Sequence, residues 1–508
     1  MLLLSSVSLL TAAAVAGPAA CAGLAGIQGD VSVTRADYVS PADPWMPGQT
    51  GPYAPVPVTV PLCRVQGTIE GNIGFELWLP VNWNGRLLGA GVGGDAGVFN
   101  YRDMSIRVDQ GFATVTTDSG HKASQKRWMA DPKANLDYQH RAVHLTAQAA
   151  KRLISRNYGR AADRSYYLGC SGGGRQALKE MQNYPGDYDG VIAGAPGPYM
   201  PLQSVRMLWF SLEQQRRPEA MLSDADWTLY ERRVHEQCDA IDGLRDGVIE
   251  NPARCRFRTA TLLCRPGQAE GCLTAPRLAM LDRIVAPMPD EHGKAMDKGL
   301  FPGVRTRPGP PSPLLRAMWA DGVFNDENWD AQTFRRSADL AAANRTMPEL
   351  RADRTAIGPF IARGGKAILY QGWQDPSTNA RPTIDYYAAL ARAQGGLARL
   401  DDSVRLFMVP GMYHCRGGPG ADLFGGSGDE TATGDPAGDA LWALIRWVEQ
   451  GQAPVALEAR KLASDGSAPV ARRLCAFPAV AVPVPGQPMR FACRTDPVLT
   501  RLLHDGGA

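Results

Sequence analysis

The chain has 508 residues, a formal net charge of only +3, and 44% hydrophobic against 21% charged residues. That length suits two, or at most about three, domains, and the near-neutral charge with no Lys/Arg block argues against nucleic acid or an anionic membrane surface as a partner. Ten cysteines, an even number, favour complete pairing in an oxidising compartment.

From the N-terminus, Leu2 to Ala20 is uncharged and mostly apolar and includes Ala14-Val15-Ala16, the pattern of a signal peptide cleaved near residue 16. A buried N-terminal helix is the alternative, and one departure is that no Lys or Arg follows Met1, which would place the true start a few codons upstream. Cys21 follows small residues and so also fits a lipid-attachment site, but Pro18 stands where such a motif normally carries Leu. The expectation is a secreted or periplasmic protein with no membrane span.

Between residues 60 and 200, strand-like runs such as Arg86-Leu87-Leu88-Gly89 and Phe112-Ala113-Thr114-Val115-Thr116 alternate with a helix expected at about Tyr138 to Arg156. This is the rhythm of a doubly wound α/β sheet. Ser165-Tyr166-Tyr167-Leu168 is β-prone, and Arg175 to Met181 is built from helix formers. Between them lies Gly169-Cys170-Ser171-Gly172-Gly173, a Gly-x-Ser-x-Gly turn that lifts a nucleophilic serine out of a sheet. A Gly-rich loop with a solvated serine is the plainer reading of such a match; the flanking strand and helix favour Ser171 as the nucleophile. The oxyanion of an acyl transfer through such a serine needs two donors. The backbone N–H of Gly172 is one candidate, and the run Gly91-Val92-Gly93-Gly94 after an early strand offers Gly93 or Gly94 as the other.

After Ala195-Pro196-Gly197 the pattern breaks, and residues 201–355 mix helical segments with loops rich in Pro, Asp and Cys. Arg307 to Pro313 is Pro-rich and reads as a stiff surface loop. Trp319, Phe324, Trp329 and Phe334 either line an aromatic pocket or form the core of this insertion, and Arg316 either meets a substrate or is a surface charge. Cys238 to Val248 carries Asp239, Asp242 and Asp246 with two glycines, a set of hard oxygens that suits Ca²⁺ but without EF-hand spacing; a solvated Asp/Gly turn is the alternative.

The sheet pattern resumes at about Ile357 to Tyr370. Asp375 follows the strand run Ala367 to Tyr370, and His414 follows Val404 to Val409, completing the chain order serine, acid, histidine. Asp385, Asp401 and Asp402 are competing carboxylates expected to be solvated. Each candidate has a cysteine beside it. If Cys170 and Cys415 are bridged, their Cα atoms must lie within roughly 4.4 to 6.8 Å, which forces Ser171 and His414 into one small volume.

The Cys170-Ser171 and His414-Cys415 dipeptides, the Gly91 to Gly94 run, Thr117-Asp118-Ser119-Gly120-His121 and Asp187 to Pro196 together resemble the tannase and feruloyl esterase family, which includes mono(2-hydroxyethyl) terephthalate hydrolases. The resemblance runs from about Cys21 to Cys493. It implies an α/β-hydrolase core (residues 17–200 and 356–508), with residues 201–355 as an inserted, mostly helical lid, and hydrolysis of small aromatic esters by a serine carboxylesterase. It implies the pairs Cys21–Cys63, Cys170–Cys415, Cys238–Cys255, Cys264–Cys272 and Cys475–Cys493. It also implies a structural Ca²⁺ in the lid held by the Asp239, Asp242 and Asp246 carboxylates and the Leu244 and Val248 carbonyls. A peptidase on the same fold, or a non-catalytic protein on a hydrolase scaffold, are the rival readings; feruloyl, galloyl and terephthalate monoesters all remain open as substrates.

Overall fold

A nine-stranded mixed sheet organises the chain in the computed structural model, which describes residues 17–42, 44–306, 313–462 and 470–505. The expected signal peptide and residues 307–312 of the Pro-rich run lie outside the described residues. The strands are β1 (Val31–Val39), β2 (Leu62–Ile69), β3 (Ile73–Pro80), β4 (Arg86–Ala90), β5 (Ala113–Thr117), β6 (Arg164–Cys170), β7 (Gly190–Gly194), β8 (Lys366–Gly372) and β9 (Val404–Val409), in the order β1-β2-β3-β5-β4-β6-β7-β8-β9. From β5 to β9 every neighbour is parallel, while β1, β2 and β3 extend the sheet antiparallel.

Parallel strands need both faces covered, so they read as continuous apolar runs rather than alternating ones. β7 is buried along its whole length. Side chains still alternate between faces, as the period of two requires. Tyr167, Ala367 and Leu369 join a core under the helices Gly172–Asn183 and Ala380–Ala393, whereas Tyr166, Ile368 and Tyr370 pack with the helix Ala440–Gln450 on the other face.

The segment between β7 and β8 contributes no strand to the sheet among the described residues. It holds the helices Met200–Arg216, Asp224–Cys238, Ala275–Val285 and Arg336–Thr346 with shorter helical turns between them. Trp319, Trp329 and Phe334 are buried in a cluster with residues of Met200–Arg216, so these aromatics are mainly this segment's own core. After Ala440–Gln450 the chain forms two hairpins outside the main sheet, β10–β11 (Ala456–Lys461 and Val470–Cys475) and β12–β13 (Ala479–Val484 and Gln487–Thr495). All five disulfides that the family resemblance implies are formed, and no cysteine is free.

Two boundaries differ from the sequence reading. The helix expected from Tyr138 begins as a π turn at Asp137–Arg141 and runs on as Ala142–Tyr158, where Gly159 takes the left-handed cap with φ 70°. The stretch expected to resume the sheet at Ile357 starts with a short helix, Gly358–Ala362, because Pro359 cannot donate to a ladder yet suits a first helical turn.

The turn from β6 into its helix packs backbone against backbone. A Cβ on Gly169 would stand 2.6 Å from both the carbon and the oxygen of the Gly173 carbonyl, neither of which can give way. Gly169→Ala is expected to lower stability by about 1–3 kcal/mol, read as a lower melting temperature. Gly186→Ala, where nothing lies within 4 Å of the added carbon, should stay within about 0.5 kcal/mol of the parent protein.

Candidate active site

Ser171 sits between β6 and the helix Gly172–Asn183 with φ 60° and ψ −124°, a conformation that a non-glycine residue adopts at a cost of about 1–3 kcal/mol. The surroundings fix it. Ser171 N–H donates to the Gly194 carbonyl at 2.9 Å, and the Ser171 carbonyl accepts from Arg175 N–H at 2.9 Å. The neighbouring disulfide joins Cys170 to Cys415 with a Cα separation of 6.0 Å.

Asp375 and His414 come from the loops after β8 and β9, adjacent strands whose loops approach closely: a Cβ on Gly372 would meet the Met412 carbonyl oxygen at 2.3 Å. His414 Nδ1 lies 2.8 Å from Asp375 Oδ2. Because a carboxylate can only accept, Nδ1 carries the proton, leaving Nε2 able to take one. Asp375 is buried and fully engaged, accepting from Ser377 N–H at 2.8 Å, Thr378 N–H at 2.7 Å and Gln371 Nε2 at 3.1 Å. Burial opposes the imidazolium, but the Asp375 charge and hydrogen bond outweigh it and hold the His414 pKa above its ordinary value.

Ser171, Gly172, Gly94 and His414 line one cavity of about 150 Å³, with Met200, Met207 and Leu315 supplying apolar wall. Of the two expected oxyanion donors in the early loop, Gly93 is already spent, since its N–H donates to the Tyr53 hydroxyl at 2.5 Å. Gly94 is therefore the remaining candidate from that loop, beside Gly172. The loop is fixed by residues that carry no sequence motif. Gln176 accepts from Val92 N–H at 3.2 Å and from the Tyr167 hydroxyl at 2.7 Å, and Asn100 donates to the Gly91 carbonyl at 2.7 Å. Gln176 could have been anticipated as the residue one turn after Gly172; Tyr53 could not. Gln203, also on the cavity wall, donates to the Ser377 carbonyl at 2.7 Å and so braces the loop that carries Asp375.

Other residues singled out in the sequence take structural parts. Arg316 donates to the Trp329 and Glu327 carbonyls, within its own segment. Asp118 and His121 belong to a buried turn: Asp118 accepts from Gly74 and Gly120 N–H, and His121 stacks on Trp128 at 3.5 Å, with burial lowering its pKa to about 4. Asp402 is exposed as expected, while Asp385 and Asp401 are partly exposed and also engaged, Asp385 pairing with Lys298 and Asp401 accepting from the Tyr387 hydroxyl.

In the acidic loop, the Asp239, Asp242 and Asp246 side chains do not all converge on one point, and among the described residues no three acidic, His or Cys side chains are grouped to hold an ion. Asp242 and Asp246 turn toward Arg472 of β11, which Glu250 also meets at 2.9 Å. One Asp239 oxygen is buried with no hydrogen-bond partner. Burial raises the pKa values of Asp242 and Glu250, although Arg472 opposes this. The orphaned Asp239 oxygen is the feature of this loop that suits a Ca²⁺ ligand, a hard oxygen without a partner, whereas Asp242 and Asp246 already have Arg472 as their positive charge.

All of the candidate groups lie at the carboxyl ends of β4, β6, β8 and β9, with the serine on a strained strand-to-helix turn, the arrangement of α/β-hydrolases. The family profile described as tannase and feruloyl esterase matches residues 57–309 and 315–484. The chain is 32% identical over 444 residues to the probable feruloyl esterase B-1 of Aspergillus terreus and 33% identical over 437 residues to feruloyl esterase C of Talaromyces stipitatus, spanning 83% of this chain in both cases and 83% and 82% of the relatives. The crystal structure of feruloyl esterase B from Aspergillus oryzae superposes with a TM-score of 0.87 at 29% identity, covering 94% of this chain and all of that one. The chain belongs to the tannase and feruloyl esterase family, and is a carboxylic ester hydrolase. Among the described residues no helix is long and apolar enough to cross a membrane.

A base that must be neutral to act loses activity as pH falls through its pKa. The acid limb of kcat/KM is expected above pH 6.5, the ordinary value for histidine. Asp375→Asn should lower kcat on the order of a thousandfold or more and move that limb down, both read from a pH–rate profile.

Proposed function

We propose that the protein is a secreted serine esterase that cleaves esters of aromatic acids through an acyl-enzyme. The observation that carries this reading is the shared cavity: Ser171 and His414 line it together, and His414 is held by the buried Asp375. His414 Nε2 takes the Ser171 proton as Oγ attacks the ester carbonyl, and the N–H groups of Gly172 and Gly94 receive the oxyanion. The C–O bond to the alcohol then breaks, with His414 returning the proton to the leaving oxygen. Water, deprotonated by His414, repeats the attack on the acyl carbon and frees the acid and Ser171.

The acyl group is aromatic on this reading because Met200, Met207 and Leu315 offer apolar, adaptable surface beside Tyr138, and because named relatives are feruloyl esterases. A feruloyl ester is the first choice over galloyl or terephthalate monoesters. The helix Met200–Arg216 and Leu315 form part of the cavity wall, so residues 201–355 serve as a lid over a core made of residues 17–200 and 356–508. Secretion is supported by the five disulfides. Ca²⁺, when bound, would be held by Asp239, Asp242, Asp246 and the carbonyls of Leu244 and Val248, where it would supply charge neutralisation and join the lid loop together.

Ser171→Ala should abolish turnover of a feruloyl ester while leaving the melting temperature nearly unchanged, since the loss of one hydroxyl at the cavity wall removes little packing; turnover close to the parent's would point to another nucleophile. A chelator should lower the melting temperature and added Ca²⁺ should restore it, because a ligand bound only to the native state raises apparent stability. An identical melting curve in protein shown to be metal-loaded and then stripped would remove the ion from this loop.

A further inference from the structure

The helix Met200–Arg216 separates two cavities. Met200, Ser204 and Met207 face the candidate active site, Leu202 and Arg206 face a second and larger cavity of about 640 Å³, and Gln203 borders both. The far wall of the second cavity is the start of the helix Ala380–Ala393, and the loop Lys294–Lys298 closes one side. Its volume lies in the range of sites for small organic ligands.

The charges around it do not balance. Arg206, Lys294, Lys298 and Arg381 line the cavity with three carboxylates, Asp297, Asp353 and Asp385, leaving one positive charge in excess. Arg206 pairs with Asp297 at 2.5 Å, Lys298 with Asp385 at 3.1 Å, and Asp353 with Arg351 outside the lining at 2.6 Å. Lys294 is exposed at the edge. Arg381 is different: its guanidinium lies over the Phe301 ring at 4.0 Å, its Nε is buried without a hydrogen-bond partner, and it makes no ion pair among the described residues. Burial lowers its pKa, and the charges of Asp385 and Asp297 do not reverse this. A guanidinium has five N–H donors in a fork that matches a carboxylate. Leaving a buried charged donor unpaired costs about 1–3 kcal/mol or more, a cost an acceptor entering the cavity would remove.

Much of the remaining lining, including Leu202, Met296, Pro382 and the rings of Tyr199 and Tyr386, is apolar or aromatic. We infer that this cavity is a second ligand site, distinct from the ester-cleaving one, that takes an aromatic monocarboxylate with its carboxylate on Arg381 and its ring between the apolar walls. The choice of acid rests on the proposed function, since an aromatic acid is what that reaction releases; the site itself rests on the cavity and its unpaired arginine.

The test uses the full-length protein with Ser171 blocked by phenylmethylsulfonyl fluoride, the block verified by mass spectrometry, so that a failure of the nucleophile assignment shows separately. Titration calorimetry with ferulate should then show one site per chain. Ferulamide, neutral and of the same shape, should bind the same protein roughly ten- to a hundredfold more weakly, and Arg381→Gln should weaken ferulate by a similar factor while unblocked Arg381→Gln still turns over ester within about twofold of the parent. No ferulate binding to the blocked protein, equal binding of ferulate and ferulamide, or ferulate affinity unchanged in a folded Arg381→Gln protein would each overturn the proposal.

Discussion

One covalent bond sets the geometry on which the candidate site depends. The Cys170–Cys415 disulfide joins residues 245 apart in sequence, and each partner is directly bonded to a candidate catalytic residue. In the chain-entropy picture a loop of that length removes about 5.5 kcal/mol of freedom from the unfolded chain, against about 2.5 for the eight-residue Cys264–Cys272 loop. Its local effect is more specific. Cys415 has φ 64° and Ser171 φ 60°, so one end of the bridge is itself a left-handed residue and the other end is followed directly by one. The loops after β6 and β9 are thus tied together although β7 and β8 stand between those strands in the sheet.

The rest of the site is fixed by close approach and by saturated hydrogen bonds. Glycines at 91, 169, 173 and 372 let neighbouring backbones touch where a Cβ would collide. Asp375 spends both oxygens on positioning, so its charge is available to His414 in a defined direction. Farther out, Tyr413 donates to Glu231 at 2.8 Å and links the histidine loop to the helix Asp224–Cys238. Arg472 ties the C-terminal hairpins to the acidic loop of the same helical segment. The insertion between β7 and β8 is therefore anchored at several points to the chain that follows β9.

The strands around the site were legible because buried parallel strands must be continuous apolar runs, and Val404 to Val409 appears in the structure with the boundaries its composition suggests. Ser171, Asp375 and His414 were legible because their order and their places after strands follow from the fold. Other features depend on contacts that no local pattern records. Gly93 and Gly94 are equivalent in sequence, and only the approach of Tyr53 from a Pro-rich stretch distinguishes them. Arg316 looks free in sequence but caps carbonyls thirteen and eleven residues away. Asp385 reads as a helix-surface charge until the loop carrying Lys298 folds against it. Arg381 shows the reverse: an ordinary helical arginine in sequence becomes a half-buried cation whose Nε is sealed without a partner only when tertiary packing encloses it.

The role of the bridge is tested most directly by replacing Cys170 and Cys415 together with serine and comparing kcat/KM with a Cys475/Cys493 double variant, at a temperature where both remain folded. A tether that positions His414 against Ser171 predicts a loss on the order of a hundredfold for the first pair, the effect of about a 1 Å misplacement, and little change for the second. A Cys170/Cys415 variant with the parent's kcat/KM would contradict it.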